Sequence, residues 1–173
     1  MSIDWNAEIR GQLETHWDRQ LRPRLEGLTD DEYFWEPVPG MWTVRRAEAG
    51  FISDFAVPPP DPAPVTTIAW RLGHLVFLLE AGRERFGGPP VDFASYRHAG
   101  TAMAALRRLD AAYREWIDGV AGLGIAGLAE PAGRAGMLAD WSTAAIVLHT
   151  QREVVHHGAE IALLRDLYRA GLR

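Results

Sequence analysis

The sequence contains no cysteine and no lysine, and each absence narrows the chemistry available to the chain. Without cysteine there is no disulfide, no thiolate nucleophile and no cysteine-ligated metal, so thiol chemistry would need a thiol supplied from outside. All 18 basic residues are therefore arginine, and they are scattered along the chain. With a net charge of −5, the chain lacks the concentrated positive patch that a nucleic-acid surface normally needs.

Long apolar runs are also missing. No segment approaches the roughly 20 apolar residues that span a bilayer, and the N-terminus lacks the basic and apolar regions of a secretory signal. We therefore expect a cytoplasmic protein with no membrane partner. At 173 residues, with 47% hydrophobic and 24% charged residues, the sequence fits one globular domain over residues 1–173 whose core needs no structural metal.

Helical periodicity dominates the chain and predicts four helices, which cover residues 4–25, 68–86, 100–120 and 142–168. Nothing alternates convincingly as a strand would. A glycine-rich stretch, residues 119–136, is expected to follow the third helix as a loop. Four helices joined in part by long connections predict an all-α protein with a four-helix-bundle architecture.

The connection between the first two predicted helices, residues 29–64, is rich in aromatic residues and proline. It shows neither a helical nor a strand period. Connections of this length are uncommon unless they cover something. Two uses remain open from the sequence, namely a lid over a site and a packed structural excursion.

One polar stripe interrupts the otherwise apolar last helix. His149, Glu153 and His157 follow at intervals of four residues, which differ by only about 40° around a helix axis. A buried carboxylate beside buried imidazoles is costly unless a cation compensates, and a divalent metal bound by these groups would do so. His74, in the middle of the second helix, supplies a complementary donor because metal sites in bundles take ligands from facing helices.

The set His74, Glu153 and His157 predicts a metal site with nitrogen, oxygen and nitrogen ligands and room for water or substrate, as in catalytic zinc sites. Zinc is the first expectation, and nickel, iron, cobalt and manganese suit the same donors. His149 is a candidate fourth ligand or orienting partner, and Glu160 could orient a ligand. The alternative interpretation is a hydrogen-bonded core histidine at position 74 and an ordinary Glu–His pair on a solvated helix face.

The same residues resemble a known family. The segments TTIAWRLGHL, which contains His74, and EVVHHGAEI, which contains Glu153, His156 and His157, are similar to the DinB-like superfamily of metalloenzymes over nearly the whole chain. The resemblance implies a four-helix bundle, commonly a homodimer, with a metal held by His74, Glu153 and His157. Many members have histidine where this chain has Glu153. The His/Glu/His set is instead similar to the bundle domain of mycothiol-dependent maleylpyruvate isomerases.

The resemblance implies a metal-dependent enzyme, and the leading hypothesis is a thiol S-transferase that joins an external low-molecular-weight thiol, such as mycothiol, to a small electrophile. The metal would favour the nucleophilic thiolate, and His149 or His156 would carry the proton. The isomerases have a further C-terminal domain, whereas this sequence ends at Arg173. Isomerisation of maleylpyruvate is therefore not expected.

Two alternatives use the same predicted site. A metal-dependent hydrolase would activate water at the open position, with Glu160 or His149 handling protons. A non-catalytic dimeric bundle would bind a metal or an apolar ligand. It predicts that a substrate-sized pocket beside the metal is absent or that the exchangeable coordination positions are blocked.

Overall fold

The structure is a computed structural model, in which residues 2–132 and 140–172 are described. These residues are mostly helical and include a small two-stranded sheet. The helices are α1 (Trp5–His16), α2 (Arg22–Arg24), α3 (Asp30–Tyr33), α4 (Ile68–Gly82), α5 (Ala102–Ala129) and α6 (Thr143–Arg169), and the strands are β1 (Val44–Ala47) and β2 (Gly50–Ser53). The predicted all-α class is confirmed in its main feature, and the sheet is an addition to it.

The predicted first helix is continuous but irregular. Between α1 and α2 the chain makes a π-helical turn, Trp17–Leu21, in which the Arg22 N–H donates to the Trp17 carbonyl. Pro23 explains the position of this wider turn, because proline lacks an N–H and crowds the carbonyl four residues earlier. The left-handed Gly27, with φ 67°, follows the end of α2.

The second and fourth predicted helices are confirmed, and both begin at a hydroxyl cap. Thr67 accepts a hydrogen bond from the Trp70 N–H at the start of α4, and Ser142 accepts one from the Ala145 N–H at the start of α6. After α4 the chain continues as a 3₁₀ turn, Arg83–Phe86. The ends of α6 differ from the predicted ones by one residue, whereas α4 ends four residues early and the 3₁₀ turn covers the rest of the predicted range.

The predicted end of the third helix is wrong. α5 runs beyond residue 120 to Ala129, interrupted only at Gly124, where φ is 59°. Glycine weakens a helix by about 1 kcal/mol per residue. Burial of Val120 and Leu128 offsets this weakness. The predicted loop over residues 119–136 is therefore helical as far as Ala129, and its residues 133–136 lie outside the described ranges.

The expectation that no segment forms a strand is also wrong. β1 and β2 form an antiparallel hairpin in which Val44 pairs with Ser53 and Ala47 pairs with Gly50. Each strand has only four residues, and burial along β1 does not alternate, so the sequence carries no period-two signal there. The connection over residues 29–64 is thus structured in part by α3 and this hairpin.

The core forms where α1 and α4 each pack against α5 and α6. Its fully buried members include Leu13, Leu72, Leu75, Leu79, Leu109, Trp116, Val147, Val154 and Ile161. Across the described ranges, no helix combines the length and hydropathy needed to cross a membrane. The contact between α4 and α6 is the part of this core that positions the candidate site.

Candidate metal centre

Three donor side chains meet where α4 packs against α6. The Nε2 atoms of His74 and His157 lie 3.7 Å and 3.5 Å from one carboxylate oxygen, Glu153 Oε2. The donor atoms of all three side chains lie within 4.8 Å of one another. Ligands bound to one zinc ion at about 2.0–2.2 Å stand roughly 3–3.6 Å apart, so these separations fit a shared cation.

The local sequence explains why the α6 donors face α4. The fully buried Val154 and Ile161 mark the core side of α6, and Glu153 and His157 lie one turn apart beside that stripe. The side chains of His74, Glu153 and His157 keep 29%, 19% and 16% of their surface exposed. The structure thus brings the three predicted donors together at a place that a reagent can reach, while their ligation of a metal stays a prediction.

A chain of polar contacts orients His157. Its Nδ1 lies 2.6 Å from Glu160 Oε2, and Arg71 forms an ion pair with the same carboxylate. Arg71 is buried and also donates through Nε to the Thr66 carbonyl at 3.1 Å. Because Nδ1 is engaged, Nε2 is the nitrogen of His157 that remains for a metal.

The charge state of Glu160 fits this orienting role. Burial alone would raise the pKa of Glu160, but the hydrogen bond with His157 and the charge of Arg71 outweigh it and lower the pKa below its usual value. A carboxylate ionised in this way accepts a hydrogen bond from the His157 ring and raises the basicity of the opposite nitrogen. The expectation that Glu160 orients a ligand therefore has a geometric basis.

His74 is held as a neutral ring. Burial, helped by the nearby His157, lowers the pKa of His74 to about 4 against the opposing effect of Glu153. Trp70, one turn earlier, stacks on the ring with centroids 5.3 Å apart, and its indole N–H donates to the Asp54 carbonyl at 2.9 Å. A fixed neutral imidazole presents a lone pair suited to a metal.

The two predicted proton carriers lie at the edge of the donor set. His149 Nδ1 is 3.7 Å from Glu153 Oε1, and it accepts a hydrogen bond of 2.6 Å from Arg152, since a guanidinium can only donate. This nitrogen is therefore engaged in the present arrangement. His156 is mostly exposed, and its Nε2 lies 3.7 Å from Glu160 Oε1. Their catalytic roles remain predictions.

An apolar cavity of about 360 Å³ adjoins His74. Its lining residues are Ser53, Phe55, Trp70, His74, Phe77, Phe93 and His98. Ser53 and Phe55 belong to the connection over residues 29–64, which therefore covers one side of the cavity. A pocket large enough for a small ligand therefore lies beside the candidate metal site. The non-catalytic alternative predicted either that this pocket is absent or that the coordination positions are blocked, and the first of these is contradicted.

Sequence reasoning missed three contributors to this region. Arg71 precedes His74 by three residues, a spacing that places both on one helix face and that could have suggested a link to α6. Phe93 and His98 lie between α4 and α5, where no helical or strand period exists to mark a side chain as functional. Only the fold brings these two residues to the cavity.

These features define a mostly helical protein with a candidate centre for one divalent metal. The sequence model of the DinB superfamily matches residues 53–161, well over half of the chain and a range that includes all three donors. The chain therefore belongs to the DinB superfamily, whose proteins are commonly metal-binding. No curated protein and no solved structure matches the chain.

Proposed function

We propose that this protein is a metal-dependent thiol S-transferase that acts on a small electrophile, with zinc as the first metal to test. The observation that carries the proposal is the continuity between the two halves of the site. His74 belongs both to the donor set with Glu153 and His157 and to the wall of the apolar cavity. In this proposal the long helices form a four-helix bundle that holds both halves in register.

The reaction needs a nucleophile from outside, because the chain has no cysteine. A divalent metal, when bound, would lower the pKa of a thiol and so favour the thiolate. The sulfur electron pair then forms the new S–C bond, and the pair of the breaking bond departs with the leaving group. The proton released by the thiol passes to solvent through His149 or His156, which we retain as candidate carriers.

The polar contacts favour thiol transfer over hydrolysis. A hydrolase would need a free base to activate water, and one of its two candidates, beside His149, is Glu160. Its carboxylate is already engaged by Arg71 and His157, and these partners lower its pKa, which makes it a weaker base. The apolar cavity suits the carbon skeleton of an electrophile.

The test is turnover of 4-nitrobenzyl chloride by the zinc-loaded chain in the presence of mycothiol. Turnover is measured as chloride release and as thioether formation. We expect thiol-dependent turnover that EDTA stops and that Glu153→Gln, which keeps the side-chain shape, reduces by at least about a hundredfold. Glu14→Gln is the matched control, because Glu14 forms an i,i+4 pair with Arg10 on α1, away from the donors. Chloride release without thiol would instead indicate a hydrolase.

The proposal would also be contradicted if no thiol supported turnover of the electrophile. Glutathione and coenzyme A are therefore assayed beside mycothiol under identical metal loading. Metal-loaded protein that turns over none of these mixtures would support the non-catalytic alternative. His149→Gln and His156→Gln then identify the proton carrier, since only loss of the true carrier should shift the pH profile of turnover.

A further inference from the structure

The walls of the cavity beside His74 are unusual in carrying aromatic surface but no formal charge. Among its lining residues there is no aspartate, glutamate or arginine, and the polar members are Ser53, His74 and His98. Burying a charged group in such surroundings without a partner costs several kcal/mol. An apolar cavity of about 150 Å³ already admits benzene. The volume of about 360 Å³ therefore suits a substituted aromatic ring.

The aromatic walls come from three separate segments. Phe55 follows β2, Phe77 lies on α4 and Phe93 lies in the loop before α5. Phe93 meets both partners edge to face, with ring centroids 4.9 Å from Phe55 and 5.4 Å from Phe77. Phe55 and Phe93 remain 56% and 46% exposed. A flat apolar ligand would bury part of this aromatic surface and form further aromatic contacts with it.

His98 supplies a polar contact that the fold leaves unused. Its Nδ1 is buried and has no hydrogen-bond partner among the described residues. That nitrogen lies against α4 so closely that a Cβ at Gly73 would stand only 2.6 Å from it. Nδ1 is therefore closed to a ligand. His98 lines the cavity, and Nε2, which is not among the buried unpartnered atoms, is the ring nitrogen left for a molecule bound there.

We propose that the cavity binds uncharged aromatic molecules and that His98 Nε2 positions them through one hydrogen bond to an oxygen substituent. This inference rests on the proposed function, for which the cavity would be the electrophile half of the site. The reacting carbon would lie near His74, and the substituent on the far side of the ring would meet His98. His98 is in this view a positioning residue that selects the substrate.

Binding of unreactive analogues tests the inference without turnover. Calorimetric titration of the zinc-loaded chain compares 4-nitrotoluene, toluene and the anion 4-methylbenzoate. We expect 4-nitrotoluene to bind at least about tenfold more tightly than 4-methylbenzoate, because the anion would be buried unpaired. The titrations are repeated with Glu153→Ala, so that a carboxylate bound by the metal is distinguished from one bound in the cavity.

A His98→Phe variant tests the hydrogen bond while keeping a ring of similar size. It should weaken binding of 4-nitrotoluene about fivefold and leave toluene unchanged, since toluene has no oxygen to accept a hydrogen bond. His16→Phe is the matched control, because His16 lies on α1 and is not among the cavity-lining residues. Equal weakening of both ligands by His98→Phe would overturn the positioning role.

Turnover separates this inference from the proposed function. If 4-nitrotoluene shows the expected binding pattern but no thiol is ever transferred, the ligand class stands and the S-transferase proposal fails. If 4-nitrobenzyl chloride and 4-(chloromethyl)benzoate are turned over with equal kcat/KM, the S-transferase proposal stands and the selection of uncharged aromatics is overturned.

Discussion

Two helical glutamates of this protein are largely withdrawn from solvent and are satisfied in opposite ways. Glu32 on α3 has a side chain only 4% exposed, and Arg165, 1% exposed, meets it with two parallel hydrogen bonds of 3.1 Å. Glu153 on α6 has three imidazoles and the Arg152 guanidinium around it at 3.5–3.7 Å, and none of these contacts is as close.

The difference indicates what each carboxylate is for. The charge of Glu32 is balanced within the protein by a guanidinium held in bidentate geometry, which is a structural contact. The imidazole of His74 beside Glu153 is neutral at pH 7, because burial lowers its pKa to about 4. A neutral ring does not balance a carboxylate, and the guanidinium of Arg152, 3.6 Å away on a side chain that is 68% exposed, does so only weakly. A cation bound between the donors would balance the charge of Glu153. The following predictions test this contrast, from the largest expected effect to the smallest.

Loss of Glu153 should remove the metal altogether. We expect purified wild type to hold close to one divalent ion per chain and Glu153→Ala to hold none, as measured by elemental mass spectrometry. Added zinc at a hundred times its Kd should also stabilise the wild type by about 2.7 kcal/mol. The variant should show no such gain in thermal unfolding. Retention of stoichiometric metal by Glu153→Ala would make the contrast with Glu32 meaningless.

Loss of Glu32 should instead damage the fold. Glu32→Ala leaves the guanidinium of Arg165 buried and unpaired, so we expect the free energy of unfolding to fall by about 3–5 kcal/mol in urea titrations. Metal binding by the fraction that remains folded should be unchanged. Asp166→Ala is the control, because its pair with Arg24 is exposed on both sides and should contribute no more than about 1 kcal/mol. A similar loss in both variants would contradict the structural role.

Glu160→Gln should have an intermediate effect on metal binding, accompanied by some loss of stability because the buried Arg71 loses its charged partner. The amide removes the charge that orients His157, so we expect metal affinity to fall about 10- to 100-fold while the helix and its packing persist. Competition with a chelator of known affinity measures the metal affinity of each variant. Glu115→Gln, which alters an exposed pair with Arg83 instead, should leave the affinity unchanged. If the metal affinity of Glu160→Gln equalled that of the wild type, His157 would be oriented by packing alone.

The parts of this molecule that could be predicted from sequence are the segments in which apolar or polar residues recur at helical spacing. Helical spacing located α4 and α6 closely, and the interruption of an apolar helix by Glu153 and His157 pointed to the donors that the fold brings beside His74. Polar residues at intervals of four in a buried helix are rare enough to be informative.

The parts that could not be predicted depend on contacts between distant segments. Arg165 looks like an ordinary charged residue near a helix end until α3 places Glu32 against it. His98 lies in a loop, and only the packing of that loop on Gly73 shows which nitrogen is buried. The extension of α5 to Ala129 reflects burial that outweighs glycine propensity, which a local pattern does not reveal.

The smallest expected effect is a difference between the pH windows in which the two regions lose stability. Burial lowers the pKa of both His74 and His98 to about 4, whereas an unfolded histidine titrates near about 6.5. Between these values the unfolded chain binds protons that the folded chain does not, so the free energy of unfolding must fall as the pH is lowered through this window. The pKa of Glu32 is lowered mainly by Arg165, against the opposing effect of burial, so its contribution is lost only below the ordinary value of about 4.3.

Urea titrations of the chain in EDTA at several values between pH 7 and 3.5 would separate the two windows. We expect His74→Asn to flatten the loss between about pH 6.5 and 4 by on the order of 1 kcal/mol, a modest figure because the ring is partly exposed. Glu32→Gln should flatten only the loss at lower pH. In parallel titrations without EDTA, a metal would compete with protons for His74, so added zinc should extend the upper window of the wild type to lower pH and leave that of His74→Asn in place. A wild-type stability that is level from pH 7 to 5 would show that the imidazole of His74 is not held neutral by burial, and the contrast between the two glutamates would then need a different physical basis.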